Sequence, residues 1–318
     1  MNELLYLDFE QPIVALLKQI EVLRQEKDKK EVLQVIEKIN ALEKCLINIT
    51  KEIFVHLDDY QKIKLARHPL RPYARDYIER IFTDFDELYG DRHCGPGYAI
   101  IGGLARFNGE AVMVIGQQKG RNVKENLACH FGMPYPEEYR KALRLMKLAE
   151  KFGLPIFTLI DTPGAYPGID AEERNQSEAI ARNLLEMSLL KVPIICTIIG
   201  EGGSGGALAL GVGDKLLMLE YAVFSVISPE GCASLLWKST DIDRIKEAAQ
   251  SLQITAEKLF NLQLIDQIVS EPLGGAHRDY DQTSALLKVV LEENLNYLKQ
   301  YSVDQLLERR YARLRNYG

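Results

Sequence analysis

The residues best suited to chemistry lie in one short run, Gly200-Glu-Gly-Gly-Ser-Gly-Gly-Ala207, directly after the apolar stretch Pro193-Ile-Ile-Cys-Thr-Ile-Ile199. The run supports three chemistries. As Gly200-x-Gly202-x-x-Gly205 it is a dinucleotide fingerprint, with Glu220 near the place of a ribose-binding acid. A helix starting here meets Gly211 and Gly213 within a few residues, which is short for a dinucleotide crossover. As Gly202-x-Ser204-x-Gly206 it is a nucleophile elbow, the mark of a serine hydrolase. Asp214 or Asp266 would then be the acid and His277 the base. As bare backbone, the glycines offer N–H groups at a helix start to a developing oxyanion, and no side-chain nucleophile is needed. A tight turn against a neighbouring helix also uses glycine. Six glycines between 200 and 211 are more than such a turn requires.

Two further segments repeat the pattern of an apolar run followed by a rigid loop. Asp161-Thr-Pro-Gly-Ala-Tyr-Pro-Gly168 follows Pro155-Ile-Phe-Thr-Leu-Ile160, and Ser228-Pro-Glu-Gly-Cys-Ala233 follows Val223-Phe-Ser-Val-Ile227. Open α/β sheets place ligands at such strand ends. Cys232 reads as a buried, inert thiol. Lys119, Arg121 and Lys124, with Arg140, Lys141, Arg144 and Lys147, suit a phosphate-bearing substrate or, more simply, a solvated basic face. His93-Cys94 and Cys129-His130 have poor metal-ligand spacing, so no metal is assigned.

The elements that must hold these loops are legible in outline. Ala111–Ile115, Pro155–Ile160 and Pro193–Ile199 read as strands covered on both faces. Pro136 opens a helix with Tyr139, Leu143, Met146 and Ala149 on one face and Gly153 as its stop. Asp170, with Glu173 three residues on, caps the next helix, whose face includes Ile180, Leu184 and Met187. This alternation argues an α/β layered fold. Leu216–Tyr221 and Val223–Ile227 are strands too close for a crossover helix between them. Residues 10–66 read as a helical hairpin interrupted at Lys27-Asp-Lys-Lys30, and helices close the chain from 284 to 315. The hairpin can pack on its own body or clasp a partner. An apolar fraction of 47% supplies a core, and a net charge of −6 gives no nucleic-acid footprint. No apolar run reaches the roughly 18 residues of a membrane span, and no secretory signal is visible at the N-terminus. Five scattered cysteines without a Cys-x-x-Cys pair suit a reducing compartment.

Several long motifs then carry a resemblance. Ala66-Arg-His-Pro-Leu-Arg-Pro-Tyr73, Asp161–Gly168, Ser177-Glu-Ala-Ile-Ala-Arg-Asn183, Gly200–Ala209, Val226–Ser234 and Pro272-Leu-Gly-Gly-Ala-His-Arg278 closely resemble the alpha-subunit family of multi-subunit acetyl-coenzyme A carboxylase carboxyltransferases, of the bacterial or plastid type. The Arg309-Arg-Tyr tail fits as well. Asp170 and Asn175 stand where the family pattern has glycines, and 93–98 also departs from it.

The resemblance implies a crotonase/ClpP-like superhelix of repeated β-β-α units. It divides the chain into an N-terminal arm (1–66), a carboxyltransferase core (67–283) and C-terminal helices on the core or a partner (284–318). It implies transfer of a carboxyl group from carboxybiotin, held on a separate carrier protein, to acetyl-coenzyme A. The product is malonyl-coenzyme A, in the first committed step of fatty acid synthesis. The implied partners are a zinc-bearing beta subunit in an α2β2 assembly, biotin carboxyl carrier protein and, in the wider complex, biotin carboxylase, in the cytoplasm or a plastid stroma. Gly205 and Gly206 are the expected catalytic donors. Gly202, Gly203 and Ala207 would shape the loop, and Thr162, Pro163, Gly164, Ala165 and Tyr166 the pocket.

Overall fold

The computed structural model describes residues 6–25 and 32–317, so the expected break at Lys27–Lys30 lies outside the described residues. The chain begins with helices α1 (Gln11–Gln25), α2 (Val32–Val55), α3 (Asp59–Ala66) and α4 (Ala74–Ile81). Strands β1 (Thr83–Glu87), β2 (Ile100–Phe107) and β3 (Glu110–Gln117) follow. Next come α5 (Val123–Ala128), α6 (Pro136–Phe152), β4 (Ile156–Thr162), α7 (Ile169–Glu173), α8 (Gln176–Leu189), β5 (Ile194–Gly203) and α9 (Ser204–Leu208). Then β6 (Lys215–Leu219), β7 (Val223–Ser225), α10 (Pro229–Trp237), α11 (Ile242–Ser251), α12 (Ala256–Asn261) and β8 (Gln267–Val269) lead to α13 (Tyr280–Leu298) and α14 (Val303–Arg315).

The strands form one sheet in the order β1-β2-β3-β4-β5-β6-β8, with β7 also paired to β5. β2 and β3 are antiparallel, and β3, β4, β5, β6 and β8 run parallel. Every residue of β4 is buried, as is all of β5 except Gly203, because helices cover both faces. The helices α6 and α8 pack together as one layer, and α4 and α13 as another.

The closely spaced strands have a simple explanation. β5 is ten residues long and shares one edge between two partners. Its Ile195–Ile198 pair with β6, and its Glu201–Gly203 pair with β7. The chain therefore steps from one half of β5 to the other without leaving the edge. The isoleucine-rich half lies in the core, and the glycine-rich half reaches the surface.

Local details follow from, and partly correct, the sequence reading. The helix opened by Pro136 ends at Gly153 in the left-handed region, at φ 67°. Leu145 takes the core place expected of Leu143, which is only half-buried. Asp170 does not cap the following helix. It lies inside the short α7, and α8 begins after Asn175 at φ 64°. That left-handed backbone explains a glycine in the family pattern, and asparagine is among the residues that tolerate it. The terminal helices dock on the core through Leu287, Leu291, Leu295, Leu298 and Leu306. The arm packs through a separate cluster of Ile13, Phe54, Leu57, Leu65 and Tyr221.

Candidate functional site

Parallel strands bring their C-terminal ends to one edge of the sheet, here Gln117 of β3, Thr162 of β4 and Gly203 of β5. Buried side chains lock these ends together. Gln117 accepts a hydrogen bond from the Asp161 amide at 3.1 Å and donates to the Gly206 carbonyl at 2.7 Å. Asp161 Oδ1 accepts from Lys119 Nζ at 2.5 Å and from the Glu201 amide at 2.9 Å. The side chain thus fixes the strand ends and does not face solvent, since Asp161 is 1% exposed.

The glycines are required by close packing of backbone on backbone. A Cβ on Gly203 would lie 2.2 Å from the Pro163 carbonyl oxygen, and one on Gly206 would lie 2.7 Å from the Ala165 nitrogen. The Pro163–Ala165 loop can press onto the start of α9 only because both positions lack a side chain. Gly205 differs, because its Cβ would meet Ile180 at an ordinary 3.6 Å. Gly205 and Gly206 belong to the first turn of α9, where backbone N–H groups have no acceptor within the helix.

Beside this turn opens a small cleft of about 30 Å³, continuous with solvent. Its walls include Pro163, Gly202, Gly203 and Ser204 on one side and Ser225, Val226 and Ser228 on the other. Arg67 and Glu201 also line it. Of the residues singled out in sequence, Gly205, Gly206 and the buried Ala207 sit in α9 behind that wall. Thr162 places its buried hydroxyl 2.6 Å from the Gly132 carbonyl and accepts from the Gly164 amide at 3.1 Å. Ala165 joins the apolar core, and Tyr166 stacks on Tyr135 at 4.2 Å. The Tyr166 amide donates to the Pro134 carbonyl, and Gln176 donates to both the Pro134 and Tyr166 carbonyls. Sequence reasoning missed Gln117, Asp161 as a brace, Arg67, Glu201 and Glu230. Glu201 was within the glycine run and Arg67 within the Ala66–Tyr73 motif, so both had a signal.

Most of the basic residues do not form a phosphate site. Lys141 is buried and donates to the Gly97 and Ile100 carbonyls, and Arg144 donates to the Gly90 carbonyl. Arg140 donates to the Arg174 carbonyl, and Lys147 pairs with Glu186 and Glu150. Lys124 is exposed.

The hydrolase arrangement is not assembled. Asp214 accepts from the Ile194 amide and from Arg310, and Asp266 accepts from the Leu216 amide and from Arg313. Both acids lie at the opposite edge of the sheet from Ser204, across the length of β5. His277 stacks on His68 at 4.0 Å, and neither of its nitrogens has a partner. The dinucleotide reading fails on α9, which is only five residues long. Cys196 is inert, because burial pushes its thiol up to about 12. Cys232 is buried as well. Among the described residues, no group of three or more His, Cys, Asp or Glu side chains is placed to hold a metal ion. No helix among them is long and apolar enough to cross a membrane.

The comparisons with known proteins cover nearly the whole chain. A family model described as acetyl co-enzyme A carboxylase carboxyltransferase-like matches residues 6–318. The acetyl-coenzyme A carboxylase carboxyl transferase subunit alpha of Coxiella burnetii is 61% identical over 98% of this chain and 98% of its own. Its counterpart in Neisseria meningitidis is 56% identical over 98% and 97%. Among solved structures, transcarboxylase 12S superposes with a TM-score of 0.54 at 19% identity, over 68% of this chain and 41% of that one. A Pseudomonas malonate decarboxylase hetero-dimer gives 0.56 at 15% identity, over 68% and 88%. These two likenesses concern the fold, and this chain spans less than half of the transcarboxylase chain. The match of residues 6–318 and the identity along almost all of the chain place it in the acetyl co-enzyme A carboxylase carboxyltransferase family, as an alpha subunit.

Proposed function

We propose that this carboxyltransferase subunit holds the biotin side of a split active site, using the first turn of α9 and the cleft beside it. Transfer of a carboxyl group to an acyl-coenzyme A is the activity of the family, and the acceptor proposed here is acetyl-coenzyme A, giving malonyl-coenzyme A. Carboxybiotin, presented by a separate carrier protein, supplies the carboxyl group and afterwards a basic ureido nitrogen. The residues of this chain contribute binding and charge stabilisation. The Gly205 and Gly206 amides donate toward the ureido oxygen as negative charge builds there. Gly202 and Gly203 keep the wall flat, and the Thr162–Tyr166 loop, pinned by Pro134 and Gln176, keeps the turn from moving.

The observation that supports this most directly is the backbone contact between Pro163–Ala165 and Gly203–Gly206, which sets the first turn of α9 beside the cleft. The acyl enolate requires its own oxyanion hole, which we assign to a zinc-bearing beta subunit in an α2β2 assembly. Biotin carboxyl carrier protein and biotin carboxylase complete the proposed complex. We read the architecture as the crotonase-like superhelix of β-β-α units, supported by the likeness to carboxylase structures and by β7 turning along β5. The three-part division at 66 and 283 and a cytoplasmic or stromal location belong to the same reading.

Malonyl-coenzyme A formation from carboxybiotin and acetyl-coenzyme A, measured with and without a beta subunit, tests it. Activity should require both chains. Full transfer by this chain alone would remove the split site.

A further inference from the structure

The family motif Ala66–Tyr73 contributes one residue to the cleft, and its contacts are unusual. Arg67 follows α3 and reaches two acids from different elements. Its Nε and Nη2 donate to Glu201 Oε1 at 2.9 and 2.6 Å, and its Nη1 donates to Glu230 Oε1 at 2.7 Å. Glu201 lies on β5 immediately before Gly202. Glu230 lies in the first turn of α10, after Ser228. One planar guanidinium therefore spans the two walls of the cleft.

Backbone pairing cannot do this on its own. β7 pairs with Glu201–Gly203 as far as Ser225, and beyond that residue the walls separate. The Arg67 bridge runs from Glu201, paired with Val223 at the first rung, to Glu230, which lies beyond the last rung at Ser225. It also sets the charge. Glu201 and Glu230 are both in or beside the cleft, and without Arg67 they would be two uncompensated carboxylates facing an anionic carboxybiotin. Burial raises the Glu230 carboxyl, but the Arg67 hydrogen bond and charge outweigh that and hold it below its ordinary range. The same two acids hold the guanidinium charged despite its burial. Lysine cannot replace this fork, because a point charge does not bridge two carboxylates in a plane.

We infer that Arg67 is a positioning residue that fixes the width and charge of the biotin-side cleft by tying Glu201 on β5 to Glu230 on α10. The inference rests on the proposed function of that cleft and adds a residue whose effect should be confined to one of the two substrates.

The test uses the full chain assembled with its beta subunit and reads malonyl-coenzyme A-dependent carboxylation of biocytin. Wild-type complex that fails to carboxylate biocytin would overturn the site assignment itself, before any variant is read. Given wild-type activity, Arg67→Gln should lower kcat/KM for biocytin by about thirtyfold, the scale of a lost charge-assisted hydrogen bond, with KM for malonyl-coenzyme A unchanged. Arg67→Lys should recover only a small part. Glu230→Gln in the Arg67→Gln background should recover more, because it removes one of the exposed repelling charges. If Arg67→Gln fails to assemble, Glu230→Gln alone carries the test, and it should raise KM for biocytin and not for malonyl-coenzyme A. Unchanged biocytin kinetics, or equal losses toward both substrates, would overturn the positioning role.

Discussion

A single Cβ atom separates the two glycines at the start of α9. At Gly206 it would press on the Ala165 nitrogen and the Gly164 carbonyl carbon, both at 2.7 Å and both backbone. At Gly205 it would make ordinary contact with Ile180. Gly206→Ala should therefore cost about 1–3 kcal/mol through overpacking. Gly205→Ala should leave stability unchanged or raise it by up to about 1 kcal/mol, since alanine favours a helix. Thermal melts of the two variants would show this, and the reverse order would refute the packing account. The sequence marks the glycine run and the Asp161–Gly168 loop as candidate functional segments, and the structure packs the two together. What each glycine avoids was not. The obstruction at Gly203 comes from Pro163, forty residues away in the chain, and only the register of β4 on β5 brings the two together.

At the scale of elements, the sequence showed the strands and the alternation clearly, because buried parallel strands are written as continuous apolar runs. It did not show that β6 and β7 share one edge of β5, since pairing partners leave no local signal. The C-terminal stretch Glu308–Arg315 gives a sharper example. It reads as a uniform basic segment, yet Arg310 is 1% exposed. Arg310 pairs with both oxygens of Asp214 at 2.8 and 2.7 Å and donates to the Met187, Leu190 and Val192 carbonyls. This one side chain ties α14 to the end of α8 and to the turn before β6. Arg310→Met would leave a buried carboxylate uncompensated, a loss of about 3–5 kcal/mol. Equilibrium unfolding in denaturant would measure it. A variant within about 0.5 kcal/mol of wild type would show that the anchor is not needed.

At the scale of the whole molecule, a seam of charged and aromatic pairs runs from the arm into the core. Glu10 of the arm is buried against Arg278, and within the core Arg71 is buried against Glu271. Between them, His277 stacks on His68 with no hydrogen-bond partner on either nitrogen. Burial, then the His68, Arg278 and Arg71 charges, depress the His277 pKa from 6.5 to about 2. The unfolded chain takes up this proton below about pH 6.5, and the folded chain does not until about pH 2. The unfolded state binds more protons in that window, so stability is full above pH 6.5 and falls as the pH drops through it. The slope from this residue is about 1.4 kcal/mol per pH unit. His277→Phe keeps a ring against His68 and loses no hydrogen bond, so it should fold at pH 7.5 and lose less stability on acidification. Denaturant unfolding of both proteins at about pH 7.5, 6 and 5 would separate this group from the carboxylates, which are common to both. Over that range the stabilities should diverge in favour of the phenylalanine variant by about 1–2 kcal/mol. Parallel curves would mean that His277 takes up its proton in the folded protein.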